Sequence, residues 1–159
     1  MMRRAIVVVG LVAALTSFGV VAPVGATVQP PCKITGAGIT SDGSWFLVRA
    51  TANRHGEQSG VVTIVSPSGD WFVGSVEAFH GRRDGGGGPE LNVGDLEGAG
   101  YLNGQAGQFA AAVQDHGGGP PEQLADVFVI DAMADSGPPI YRAGGVLVCG
   151  DVQIRPPSP

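Results

Sequence analysis

The chain has 159 residues, 14% of them charged, with 27 glycines and 12 prolines. That length suits one domain. A formal net charge of −5 argues against nucleic acid or an anionic membrane as partner, because both need basic surface.

Residues 1–26 read as a secretory signal. Arg3 and Arg4 form a basic start, and "AIVVVGLVAALTSFGVVAPV" contains the apolar region. Small residues at Val24, Gly25 and Ala26 place the cleavage between Ala26 and Thr27. The alternative is an uncleaved anchor, which Gly19, Pro23 and Gly25 disfavour in a long helix. Cleavage leaves 133 of the 159 residues and lowers Lys+Arg from 9 to 7 against 14 Asp+Glu, for a net charge of about −7. No later stretch approaches the ~20 apolar residues of a membrane helix, so no membrane span is expected after signal removal. The expected location is therefore outside the cell or in its envelope.

Residues 27–31 are a short linker, 32–154 the folded domain and 155–159 a disordered Pro-rich tail. Cys32 and Cys149 lie near the two ends of the mature chain. An even count in an oxidising compartment predicts one disulfide between them. They lack CxxC spacing, which argues against a zinc site.

Between those ends, helical periodicity is absent. Short apolar runs alternate with Gly, Pro, Asn and Asp, the mark of an all-β chain. Strands are expected over 33–36, 45–51, 60–66 and 71–80, the last two joined by "PSGD". The loop "GRRDGGGGP" follows. Further strands cover 91–102, 108–114 and 126–133, then a short piece at 140–141 and a longer one at 145–154. About eight strands with short links predict a closed antiparallel meander barrel, or failing that a two-sheet sandwich.

The segment "GAGYLNGQAGQFAAAVQD" opens like a nucleotide-binding turn. The dinucleotide fingerprint requires G-x-G-x-x-G before a helix. Here the third glycine comes one residue late and a strand follows. Asn103-Gly104 accepts positive φ, so the segment is read as a hairpin, with Gly98 and Gly100 permitting a bend or bulge. No cofactor is expected.

The series "ITGAG", "GAGYLNGQAGQFAAAVQDHG", "DVFVIDA" and "IYRAGGVLVCGDVQI" resembles the post-COAP type of Gly-rich secreted bacterial β domain. The matching positions are Gly98, Gly100, Asn103, Gly104, Gly107, Phe109, Asp115, Asp126, Phe128, Ile130, Tyr141, Gly144, Gly145, Gly150 and Ile154. They are turn glycines and strand hydrophobics spread over nearly all of 32–154. The resemblance implies a β module of the kind found in larger exported or surface proteins, and no catalytic motif. This chain differs in standing alone and in carrying Cys32 and Cys149.

Candidate sites are few. His55, His80 and His116 fall in turns or at a strand end and lack metal spacing. His80, Asp84 and His116 form a composite site only if two loops meet. G-x-S-x-G is missing, and Asp95 and Glu97 share a strand face with no sign beyond solvation. Acidic turns at 115–126 and 131–135 offer weak calcium ligands without an EF-hand pattern. Trp45-Phe46 and Trp71-Phe72 each turn one ring outward, and Trp45 and Trp71 are the candidate surface contacts.

The sequence thus describes a secreted, non-catalytic β domain with a binding or structural role toward a protein or glycan. The alternatives are a calycin-like barrel carrying a small apolar ligand, and an enzyme near His80 and His116. A lumen filled by Phe109, Phe128 and Ile130 would favour the first reading over the ligand carrier.

Overall fold

The computed structural model describes residues 32–82, 92–117, 125–137 and 140–155. The expected signal, its cleavage site, the linker at 27–31 and the last four residues lie outside them. Eight strands run in chain order. They are β1 (Cys32–Thr40), β2 (Trp45–Ala52), β3 (Gln58–Val65), β4 (Trp71–Arg82), β5 (Val93–Leu102), β6 (Gln105–Gln114), β7 (Val127–Ala134) and β8 (Ile140–Arg155). Each pairs antiparallel with the next, and β1 pairs with β8, closing a meander barrel. No helix occurs among the described residues.

Period-two alternation builds the wall. On β2, Phe46, Val48, Ala50 and Ala52 are buried while Trp45, Leu47 and Arg49 are exposed. The same parity turns Phe72 inward and Trp71 outward on β4. The lumen is filled. Phe46 stacks on Phe128 with ring centroids 4.4 Å apart, and Phe72 meets Phe109 at 5.2 Å. Phe79, Ile34, Ile64, Leu96 and Ile130 are among the fully buried side chains of the same core. Rings in contact at these distances leave a packed core inside the wall.

Gly98 and Gly100 face this core. A Cβ on Gly98 would collide with the Ser75 carbonyl oxygen, and one on Gly100 with that of Val73. The Gly-x-Gly therefore lets β5 press against β4 over the Phe72 and Phe109 rings. The following turn has Asn103 at φ 50° and Gly104 at φ 83°. Both central residues of a type I′ hairpin turn require positive φ.

The last two expected strand pieces are one strand. Gly144, Gly145 and Gly150 adopt φ of 116°, 141° and 107°, and β8 changes partners around them. Its first half pairs with β7 and its second half with β1. The strand also runs through Arg155, one residue into the expected tail.

The expected disulfide does not form: both cysteines are free, Cys32 buried and Cys149 exposed. The terminal strands are neighbours, but their register separates the two residues. Cys149 lies opposite Ile39, seven positions along β1 from Cys32. At ~3.3 Å per residue this is roughly 23 Å, far beyond the ~7 Å limit for bridging Cα atoms. Cys32 also points into the lumen and Cys149 away from it.

Candidate functional site

The two tryptophans come together on the outer wall. Trp45 is opposite Val65, and Val65 is opposite Trp71. Ile39 precedes Trp45 in the same transverse row, and Cys149 precedes Ile39. Trp45 is 44% exposed and Trp71 39%. Their backbones stand two strand spacings apart, about 10 Å. Below them, the next row carries Leu47, Thr63, Val73 and Tyr101, all outward. A contiguous apolar surface of this kind marks a contact face more than scattered exposed residues do.

Trp71 is held from the turn between β5 and β6. The Asn103 side chain accepts a hydrogen bond from the Trp71 N–H at 2.9 Å, and its amide donates to Asp70 at 2.9 Å. The Asn103 N–H donates to the Trp71 carbonyl, also at 2.9 Å. Ser68 also donates to Asp70, so hydrogen bonds from Ser68 and Asn103 hold its carboxyl below the usual aspartate range. The hairpin residue found from the sequence thus also anchors one of the two candidate contact residues.

Three carboxylates work as backbone latches. Asp126 accepts from His116 N and Val152 N, each at 2.9 Å. Asp115 accepts from Gly117 N and Ile154 N, each at 2.8 Å. Asp42 accepts from the Thr40 hydroxyl at 2.6 Å, Gly144 N at 2.7 Å and Ser44 N at 2.9 Å. These bonds satisfy donors of β8 where it leaves one neighbour for the other. Asp115 and Asp126 therefore act as latches rather than as an open calcium shell. Arg142 holds Asp131 through two bonds, at 2.6 and 2.9 Å. No group of three ligating side chains occurs among the described residues.

The histidines remain apart. His55 lies in the β2–β3 turn, bonded through its N–H to Asn53. His80 faces outward opposite Asp95, whose carboxylate is bound by Arg82 at 2.8 Å. His116 follows β6, two strands from β4, and Asp84 lies outside the described residues.

Among the described residues, two of the surface depressions lie on the outer wall. One, of about 450 Å³, adjoins the tryptophan face between Val73, Tyr101 and Ala106. The other, of about 610 Å³, lies across β5 to β8, floored by Ala110 and Ala112 and rimmed by Asp95, Glu97 and Asp131.

A charge cluster also forms that is not legible in the sequence. Lys33 and Arg155 are directly opposite each other on β1 and β8, and Arg49 is diagonal to Lys33 on β2. None of the three is in an ion pair among the described residues, where the bridges are Arg82–Asp95 and Arg142–Asp131. No local motif announces this cluster, because its members come from three separate strands.

The fold and surface define a class: a closed eight-stranded antiparallel meander barrel with a filled lumen and an aromatic outer face. Comparison with known proteins adds no kinship, since no family model, curated protein or solved structure matches the chain.

Proposed function

We propose that the protein is an exported, non-catalytic binding or structural module of the cell envelope or exterior, and that it meets its partner through the outer wall of β1 to β4. The observation that carries this reading is the single transverse row holding Trp45, Val65 and Trp71. Half-exposed aromatic rings contribute large contact area at small entropic cost. The filled lumen supports an exterior site over an interior ligand. The resemblance to Gly-rich secreted β domains supports export, as do the signal-like first 26 residues.

Intrinsic fluorescence tests this directly. The chain has two tryptophans, and both lie on this wall. A panel of neutral β-glucan, chitin oligosaccharide, acidic polysaccharide and purified envelope protein is titrated while acrylamide quenching is followed. The expected result is that one panel member shields the rings and that Trp71→Ala weakens its binding. If every binder leaves quenching unchanged, or none binds, the wall is not the contact surface.

A further inference from the structure

Across an antiparallel pair, like charges directly opposite each other are destabilising. Lys33 and Arg155 stand in that relation, with Arg49 as the diagonal neighbour of Lys33. The mature chain carries 7 basic against 14 acidic residues, so carboxylates are plentiful. Yet the outward carboxylate nearest along β8, Asp151, is bonded to Gln153 at 2.6 Å. The two ion pairs among the described residues lie on β4, β5, β7 and β8 instead. Lys33, Arg49 and Arg155 thus form no ion pair among the described residues, on the same wall as the tryptophans.

Their position on that wall is specific. Lys33 on β1, Arg49 on β2, Thr63 on β3 and Trp71 on β4 form a continuous diagonal. Each is offset by one strand and two residues from the last. Diagonal neighbours are roughly 7–8 Å apart. The line passes from cations, through a hydroxyl, to an aromatic ring. Hydroxyl groups border it, with Thr51 and Ser59 hydrogen-bonded at 3.2 Å beside Lys33 and Arg49.

We infer that this diagonal is a binding site for an extended acidic glycan, with sugar carboxylates on Lys33, Arg49 and Arg155 and a sugar face on Trp71. The inference rests on the proposed use of the β1 to β4 wall and adds the chemical class of its partner. Charge complementarity requires an anion. Three cations within an acidic protein match a chain with one carboxylate per sugar, and the net charge of about −7 repels a more densely charged nucleic acid. Trp45 and Trp71 lie on strands of the barrel wall at 44% and 39% exposure rather than on a protruding helix or loop. That geometry suits a flat sugar face better than burial in the headgroup region of a bilayer.

The test uses the secreted protein and a β-linked oligomannuronate, with the same oligosaccharide reduced at its carboxyls as the neutral probe. Calorimetry at low and high salt is expected to show binding of the uronate that weakens with salt, as exposed charge contacts do. The reduced probe binds more weakly. Arg49→Gln and Arg155→Gln each lower uronate affinity, together about three- to tenfold. R155Q also removes the like-charge opposition, so its melting temperature does not fall while its affinity does. Arg142→Gln, on another face, changes nothing in binding. Equal affinity for the two probes, loss of affinity in R142Q as large as in R49Q, or no uronate binding overturns the inference. Tighter binding to single-stranded DNA or to anionic vesicles than to the uronate overturns it as well. If the reduced probe or an envelope protein shields the tryptophans and R49Q/R155Q is silent, the acidic glycan fails while the wall remains the contact surface.

Discussion

At the residue scale, the glycines divide by what they permit. Gly104 needs its positive φ but has open space around it, so Gly104→Val carries a backbone cost of about 1 kcal/mol or more. Gly87, its natural comparison in the four-glycine run, lies outside the described residues. Gly100 has the opposite problem, because a Cβ there meets Val73 backbone and the Phe72 ring. Gly100→Ala is expected to cost ~1–3 kcal/mol as overpacking, read from the urea midpoint. A wild-type midpoint would mean β4 and β5 do not approach so closely. The cysteines give a chemical readout. Burial raises the Cys32 pKa, only partly offset by a hydrogen bond with the Lys33 backbone, and the thiol is enclosed. A thiolate reagent should therefore label exposed Cys149 in the native protein and Cys32 only after unfolding. Recovery of a single disulfide-linked peptide pair from native protein would contradict the register of β1 and β8.

At the element scale, β8 is the strand that needs the most support. It exchanges β7 for β1 along its length, and each released stretch of backbone is met by an aspartate from a loop. Asp126→Ala leaves the His116 and Val152 N–H groups without their acceptor. The expected loss is roughly 1–3 kcal/mol, with smaller effects if water replaces the carboxylate. Hydrogen exchange should rise at Val152 first; unchanged protection there would show that the latch contributes nothing. Asp42 adds a pH dependence. Burial alone would raise its pKa, but hydrogen bonds from Thr40, Gly144 and Ser44 outweigh burial and hold it below the usual value. A carboxyl lowered in the fold stabilises it above the unfolded pKa and loses that contribution as pH falls through the folded pKa. Asp42→Asn should therefore flatten the acid limb of the stability curve while leaving its slope near neutrality unchanged. An unaltered acid limb would place the titration elsewhere.

At the scale of the whole molecule, closure depends on β1 meeting β8, the two strands farthest apart in the chain. With both cysteines free, the barrel is held by strand pairing and core packing, so reductant should leave its melting temperature unchanged. Export predicts a mature protein starting at Thr27, which the intact mass of material from culture medium reports. A species in the medium that retains residues 1–26 would contradict cleavage at that site. Charge is also organised at this scale. The formal net charge of −5 describes an average, whereas Lys33, Arg49 and Arg155 gather on one wall and Asp95, Glu97 and Asp131 rim another. Net charge alone does not reflect that separation.

The features legible in the chain alone are local or periodic. Alternation at Trp45-Phe46 and Trp71-Phe72 decided which rings enter the core, because side chains on a strand alternate between two faces. Asn103-Gly104 marked a tight hairpin, because few residue pairs accept two positive φ angles. Recurrent short strands with short links pointed to a meander barrel or a two-sheet sandwich, and the pairing of β1 with β8 selected the barrel. Tertiary structure alone decided quantities that depend on register. An even cysteine count suggested a disulfide, but the register of the neighbouring terminal strands holds Cys32 and Cys149 roughly 23 Å apart along the wall. Register also aligned Trp45 with Trp71 and set Lys33 against Arg155 and beside Arg49. Strand parity says which face a residue occupies, but the stagger between strands says which residue from a distant part of the chain stands next to it.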